Sequence, residues 1–276
     1  MNFAVSRPGS EANAVEVIAL AFVFKDSFDV PALMGLKKLL AEKLKDELPG
    51  EEEEFAQSFE FPDEPAPGKS VKAEAFSELH EVSRFAAMQD GTFGKRVRIF
   101  DQNIIFECFD YKGFKEFKSD AEKILTAVLN GLGKDLVVQE IGFRVSDRFI
   151  YQDELHEGNY SVSEVFRKGC KYITPAIYEA GLLWHVFQGW FGNWLDTEYK
   201  ILQQVNISNG LLRTNGKFVS KVEHRAVLRS LDGPILTSDL KDKLSIPFML
   251  TTLHSLNKEL LKEVLSDSKL KQIGLN

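Results

Sequence analysis

The sequence predicts an α+β protein built in two layers, a mostly antiparallel sheet with helices packed on one face. Residues 103–148 carry most of that reading: NIIFECF, YKGFKEFKSDAEKILTAVLN and LVVQEIGFRVSDR form a strand, an amphipathic helix and a second strand with clear boundaries. The chain holds 22 phenylalanines, an excess that suits cross-strand packing in a sheet-rich core. Helical patterns are too few and too widely separated for a doubly wound parallel sheet.

In chain order, VEVIALAFVF at Val15 to Phe24 is apolar on both alternating faces. That pattern suits a central strand covered on both sides, or a strand at a subunit contact that would allow a sheet-mediated homodimer. A helix follows, with Asp29 as cap, Pro31 in its first turn and Leu33, Leu36, Leu40, Leu44 and Leu48 as its apolar stripe, ended by Pro49 and Gly50. From Glu51 to Ser70, four consecutive glutamates and three prolines predict a mobile acidic loop, whose functional alternative is an acidic surface for a basic partner.

VKAEAFSELHEVSRFAAM and KRVRIFDQNIIFECF read as strands, with a hairpin at RIFDQNIIF that places Ile104, Phe106 and Cys108 on one face. Asp110 is the expected cap of the second helix, whose stripe is Phe114, Phe117, Ala121, Ile124, Leu125 and Val128, with Gly131 releasing the chain. In the strand after it, Val137, Ile141, Phe143 and Val145 form a packing face, and Val138, Glu140, Gly142, Arg144, Ser146 and Arg148 an open face. A short helix is expected at Val162 to Tyr172. KILQQVNIS and GKFVSKVEHRAVLRS read as strands joined through Asn209, Gly210, Asn215 and Gly216. A long closing helix has Ser245 as cap, Pro247 in its first turn and Leu250, Leu253, Leu256, Leu260, Leu261 and Val264 as stripe. The expected organisation is two α+β halves, 1–150 and 151–276, within one unit, each half combining strands with a packing helix as in an internal pseudo-repeat.

Composition narrows the function classes. A formal charge of −7 disfavours nucleic acid or an anionic membrane as partner of the whole molecule, while a local basic groove stays open. The early apolar run is too short to span a bilayer and lacks the layout of a signal peptide, so the expectation is a cytoplasmic protein with no membrane partner. Cys108 and Cys170 belong to no CxxC or Cys/His cluster and read as buried thiols in a reducing compartment.

Residues 140–148, EIGFRVSDR, resemble the hallmark IGLRYINR segment of a sporadically distributed, uncharacterised prokaryotic family of similar length. Ile141, Gly142, Arg144 and Arg148 keep that pattern, Phe143 is a mild change, and Val145, Ser146 and Asp147 depart from it, with Asp147 standing where the pattern has asparagine. The early VE-initiated strand, the aromatic helix before the hallmark and the Leu253–His254 pair in the last helix are similar to that family's layout. What the resemblance implies is cargo of mobile elements or defence, such as a component of a toxin–antitoxin or antiviral system.

Chemistry-bearing motifs are sparse. The five histidines are scattered without helical i, i+4 partners, so no metal site and no cofactor are expected. His254, on the stripe of the last helix, reads as a hydrogen-bonded core histidine. GLGKD follows a helix instead of opening one, and Glu116 with Lys118 falls inside a helix, which rules against a phosphate loop and a nuclease pair respectively. The best polar constellation for an anionic ligand is Arg144, Arg148, Asp147 and Glu140, with Asp147 pointing to the other face if the strand runs unbent. The structural alternative is that each arginine pairs with a neighbouring-strand carboxylate and fixes register.

Trp184, Trp190 and Trp194, interleaved with Phe187 and Phe191, have three readings: core packing, then partner binding, then base stacking. Without a catalytic set, the leading expectation is a protein-interaction component, an antitoxin or defence subunit, holding a protein partner through Trp184, Trp190, Phe191 and Trp194 or through the acidic segment. The alternative is a small anionic-ligand-binding protein or hydrolase with its site around Arg144 and Arg148.

Overall fold

The computed structural model describes residues 4–9, 13–60, 74–133, 135–152, 154–195, 199–212, 216–229, 233–242 and 244–275. Its strands are β1 (Ser6–Pro8), β2 (Val15–Phe24), β3 (Gly50–Glu60), β4 (Glu74–Ala87), β5 (Phe93–Phe100), β6 (Asn103–Cys108), β7 (Val137–Tyr151), β8 (Trp184–Asn193), β9 (Lys200–Leu211), β10 (Phe218–Arg229) and β11 (Ile235–Leu236). Its helices are α1 (Val30–Lys43), α2 (Phe114–Gly131), α3 (Val162–Val165), α4 (Ile246–Val264) and α5 (Asp267–Gln272).

All eleven strands belong to one antiparallel sheet in the order β3-β4-β5-β6-β2-β7-β10-β9-β8, with β1 and β11 pairing the two ends of β7. This is the predicted α+β class with an open sheet. The winding repeats: β2 is central, a helix follows it, and a meander returns from the edge strand β3 to β6 at its side. Likewise β7 is central, and a meander returns from the edge strand β8 to β10 at its side. Each meander then leads on to a long helix, α2 or α4.

The apolar pattern of β2 has a direct cause. Ile18, Leu20, Phe22 and Phe24 are buried under the helices, while Val17 and Ala19 are also nearly covered on the other face. Both edges of β2 are hydrogen-bonded, to β6 and β7, so it offers no edge to a second copy. One core gathers β2, β6 and the first part of β7 under Leu36, Leu40, Phe117, Ile124, Leu250 and Leu253 of α1, α2 and α4. A second gathers Phe149, Tyr151, Phe166, Trp184, Val205, Val222, Leu261 and Leu265.

Several boundaries differ from the sequence reading. Residues 51–60 are strand, not loop: Glu51 and Glu53 face Lys37 of α1 at 3.4 and 2.5 Å, so successive glutamates alternate faces instead of crowding one another. The remainder of the expected loop, 61–70, lies outside the described residues, as does Asn215. Asp110 does not cap α2. Gly113, at φ 142°, turns the chain into the helix, and the Asp110 carboxylate pairs with Lys112. At the other end Gly133, at φ 68°, takes the left-handed position expected of Gly131.

Asp29 does cap α1, accepting from the Ala32 amide at 2.8 Å, but the helix stops at Lys43 and Leu44 and Leu48 are buried from the turns beyond it. Ser245 precedes α4 without a side-chain cap bond, and in the stripe Met249 and Asn257 are buried while Leu256 is only half-buried. The expected helix at Val162 to Tyr172 is a single turn, because Phe166 extends to bridge Leu265. Asn209 and Gly210 lie within β9, not in its turn. Val138, not Val137, enters the core, since a register irregularity between β2 and β7 shifts the strand's phase there.

Candidate functional site

The open face of the sheet is a lattice of cross-strand ion pairs. Arg144 donates to Glu223 of β10 at 2.7 Å, and Arg148 to Glu16 of β2 at 2.8 Å. Glu140 takes Arg229 at 2.6 Å, while Arg96–Glu107 and Arg98–Glu81 repeat the motif on β5 at 2.8 and 2.5 Å. A bulge in β2 between Val15 and Val17 brings Glu16 out over this face, where Lys221 also reaches it at 2.8 Å. The arginines that looked like an anion clamp thus each hold a neighbouring strand's carboxylate, the register-fixing arrangement. Arg225 stands directly opposite Arg144 and has no ion pair among the described residues.

Asp147 is not part of that face. It continues the packing side of β7 between Val145 and Phe149, 2% exposed, and its Oδ2 has no hydrogen-bond partner among the described residues. It lines a cavity of about 80 Å³ beneath α4 with Tyr111, His254, Asn257 and Lys258. His254 stacks on Phe114 at 3.7 Å between ring centres, yet its buried Nδ1 has no partner among the described residues, unlike the hydrogen-bonded core histidine expected. Behind the cavity His224 is buried with Nδ1 3.2 Å from Asn257 Oδ1. Burial without a counter-charge pushes the Asp147 carboxyl up to about 7, and burial pushes both imidazoles down to about 4. Arg144, Arg148 and Glu140 therefore share one face, and Asp147 occupies the other.

The tryptophan segment is β8, the outermost strand on its side. Its inward residues are anchored: Trp184 donates its Nε1–H to the Tyr160 hydroxyl at 2.7 Å, and Trp190 stacks on Tyr172 at 5.2 Å. Trp184 and Trp194 are buried, so they serve the core. The alternate residues point outward, leaving Phe187 60% and Phe191 67% exposed. Leu183 and Leu195 at the two ends are exposed as well. The strand pairs β9 on one side and, among the described residues, nothing on the other.

No charged residue occurs between Glu179 and Asp196, so the free edge lacks the lysines, charges or prolines that usually blunt one. Phe187 escaped the sequence-based set of anchors because no strand was assigned there; period-two alternation with Phe191 would have found it. No protein-family model matches this chain, and neither a curated protein nor a solved structure matches it.

Proposed function

We propose that the protein is an interaction component that holds a partner protein along the free edge of β8, with the partner adding a strand to the sheet and burying Phe187 and Phe191. The observation that carries this reading is an uncharged edge strand, unpaired on one side among the described residues, whose outward face bears two phenylalanines more than half exposed. Strand addition supplies main-chain hydrogen bonds, and alternate side chains supply the specificity. Aromatic anchors on an otherwise polar protein surface are the residues from which interfaces draw most of their energy.

The resemblance of residues 141–148 to the hallmark segment supports a partner drawn from a toxin–antitoxin or antiviral system. Two buried, unpaired cysteines, Cys108 and Cys170, support a reducing cytoplasmic setting. No helix among the described residues is long and apolar enough to cross a membrane.

The test is affinity purification of the full chain from its source cells, comparing the native sequence with the Phe187→Lys, Phe191→Lys double variant. Two anchors of about 2 kcal/mol each would lower affinity about a thousandfold, so the variant should lose a stoichiometric partner that the native chain retains. A native chain that purifies alone, or a variant that keeps the partner, contradicts the proposal.

A further inference from the structure

Asp147 presents a problem that the sheet does not solve. A carboxylate this deeply buried, with one oxygen unpartnered among the described residues, is strongly unfavourable unless a proton or a cation neutralises it. No described lysine or arginine forms an ion pair with it, although Lys258 lines the same cavity. The cavity around the carboxylate is real space. Its volume of about 80 Å³ suits a small head group and not a nucleotide or an extended cofactor.

The other groups facing that space narrow the chemistry. From α4 come His254, whose unpartnered Nδ1 is an acceptor in one tautomer of the neutral ring, and Asn257, whose carbonyl oxygen lies against His224 of β10. Tyr111 lines the cavity from the segment before α2, Asn13 from the segment before β2, and Val15, Ile18, Ile273 and Leu275 make the remainder largely apolar. An anionic head group would be placed against a carboxylate. A neutral one would suit the carboxyl only in its protonated form. A compact cation with an apolar stem meets both the charge and the walls.

We propose that this cavity binds the ammonium head of a small primary amine, with Asp147 as counter-ion and His254 as a second hydrogen-bond acceptor. The site stands apart from β8 and does not depend on partner binding. Asp147 arises at the bulge of β2, which brings Val15 opposite it on the helix side while sending Glu16 to the open face.

The pH dependence follows from the groups that face the ligand. His224 and His254 are held neutral down to about 4, and burial raises the Tyr111 phenol, so Asp147 is the group that changes charge between pH 6 and 8. With its carboxyl at about 7, amine binding should be roughly tenfold tighter at pH 8 than at pH 6. An alkylammonium itself stays protonated across that range.

The experiment is calorimetric titration of the full chain with n-butylamine, n-butanol and butyrate at both pH values, repeated on Asp147→Asn and Lys258→Gln variants. The expected result is saturable binding of butylamine alone, lost at least tenfold in Asp147→Asn, and strengthened severalfold in Lys258→Gln, where a like charge leaves the cavity lining. Folded Asp147→Asn with unchanged amine binding overturns the proposal, as does butanol binding equal to butylamine. Binding that appears only in Lys258→Gln also overturns it, because the protein's own lysine would then be the cation the cavity is built for. A native chain that binds none of the three leaves Asp147 a purely structural group and equally refutes the site.

Discussion

Replacing Asp147 by asparagine should stabilise the protein increasingly as pH rises. The carboxyl has an ordinary value of 3.8 in an open chain and about 7 in the fold, raised by burial alone. Between those values the folded protein holds a proton that the unfolded chain has released. Unfolding then releases protons, so stability falls as pH rises, by about 1.36 kcal/mol per pH unit. Across the whole window the loss is about 4 kcal/mol, and it is complete above pH 7.

Asparagine keeps the shape and the unmet hydrogen bond but cannot ionise, so its constant cost cancels when two pH values are compared. The stability difference between variant and native chain should therefore grow in the variant's favour by about 3 kcal/mol between pH 5 and pH 8. Neutral His224 acts in the opposite sense: its value is pushed down to about 4, so its contribution is present above 6.5 and is lost as pH falls toward 4. That term is common to both proteins and drops out of the difference. Urea unfolding followed by tryptophan fluorescence at half-unit pH steps measures it. A flat difference across pH 5–8 would mean that Asp147 titrates as an exposed carboxyl, and the account of its burial would fall.

Two buried cations give further expectations. Arg84 is nearly fully buried and donates to the carbonyls of Leu48 and Pro49 at 2.8 and 2.9 Å and to Glu51 at 2.9 Å, clamping the turn after α1 to the start of β3. Arg84→Met should cost about 2–4 kcal/mol in urea unfolding, and a loss below 1 kcal/mol would show that water replaces the clamp. Lys269 of α5, 1% exposed, donates to Glu164 and to the Ser6 carbonyl, both at 2.6 Å. Lys269→Met should cost about 2–4 kcal/mol by leaving the half-buried Glu164 carboxylate without its counter-ion, held only by the Ser6 amide and hydroxyl, and adding Glu164→Met should recover much of that loss in the same assay.

Elements whose signals are local were legible from the sequence, and those that depend on non-local pairing were not. The stripe of α2 and the double-sided apolar run of β2 each reflect one element against one layer, so Phe117, Ile124, Leu20 and Phe22 sit where periodicity puts them. The glutamates at 51–54 misled because a run of like charge looks unfoldable until alternation separates it onto two faces and Lys37 and Arg84 arrive from elsewhere. The candidate site divided in the same way. Alternation correctly put Arg144 and Arg148 on one face and Asp147 on the other, but the carboxylates that occupy the arginines come from β2 and β10, distant in sequence. The cavity at Asp147 is assembled from five separate stretches of chain, and none of its residue types is unusual in isolation.

The two ends of the sheet carry the strongest functional contrast. β3 and β8 occupy equivalent places in the repeated winding, each being the first strand of a meander and each forming a free edge among the described residues. A free edge presents unpaired backbone groups, and one that must stay monomeric is guarded by charge. β3 carries four successive glutamates, of which Glu52 and Glu54 project on the side away from α1, so any strand approaching along it meets an acidic row. β8 occupies the equivalent position with no charge and with two exposed phenylalanines on its outer side. β3 also exposes Phe55, so the contrast between the two edges lies in their charge. The proposed strand addition therefore rests on β8, the edge without charge. On the open face Arg144, Arg148 and Arg229 each hold a glutamate within the sheet and Arg225 has no ion pair among the described residues, whereas β8 combines an edge without a described strand partner with the exposed Phe187 and Phe191.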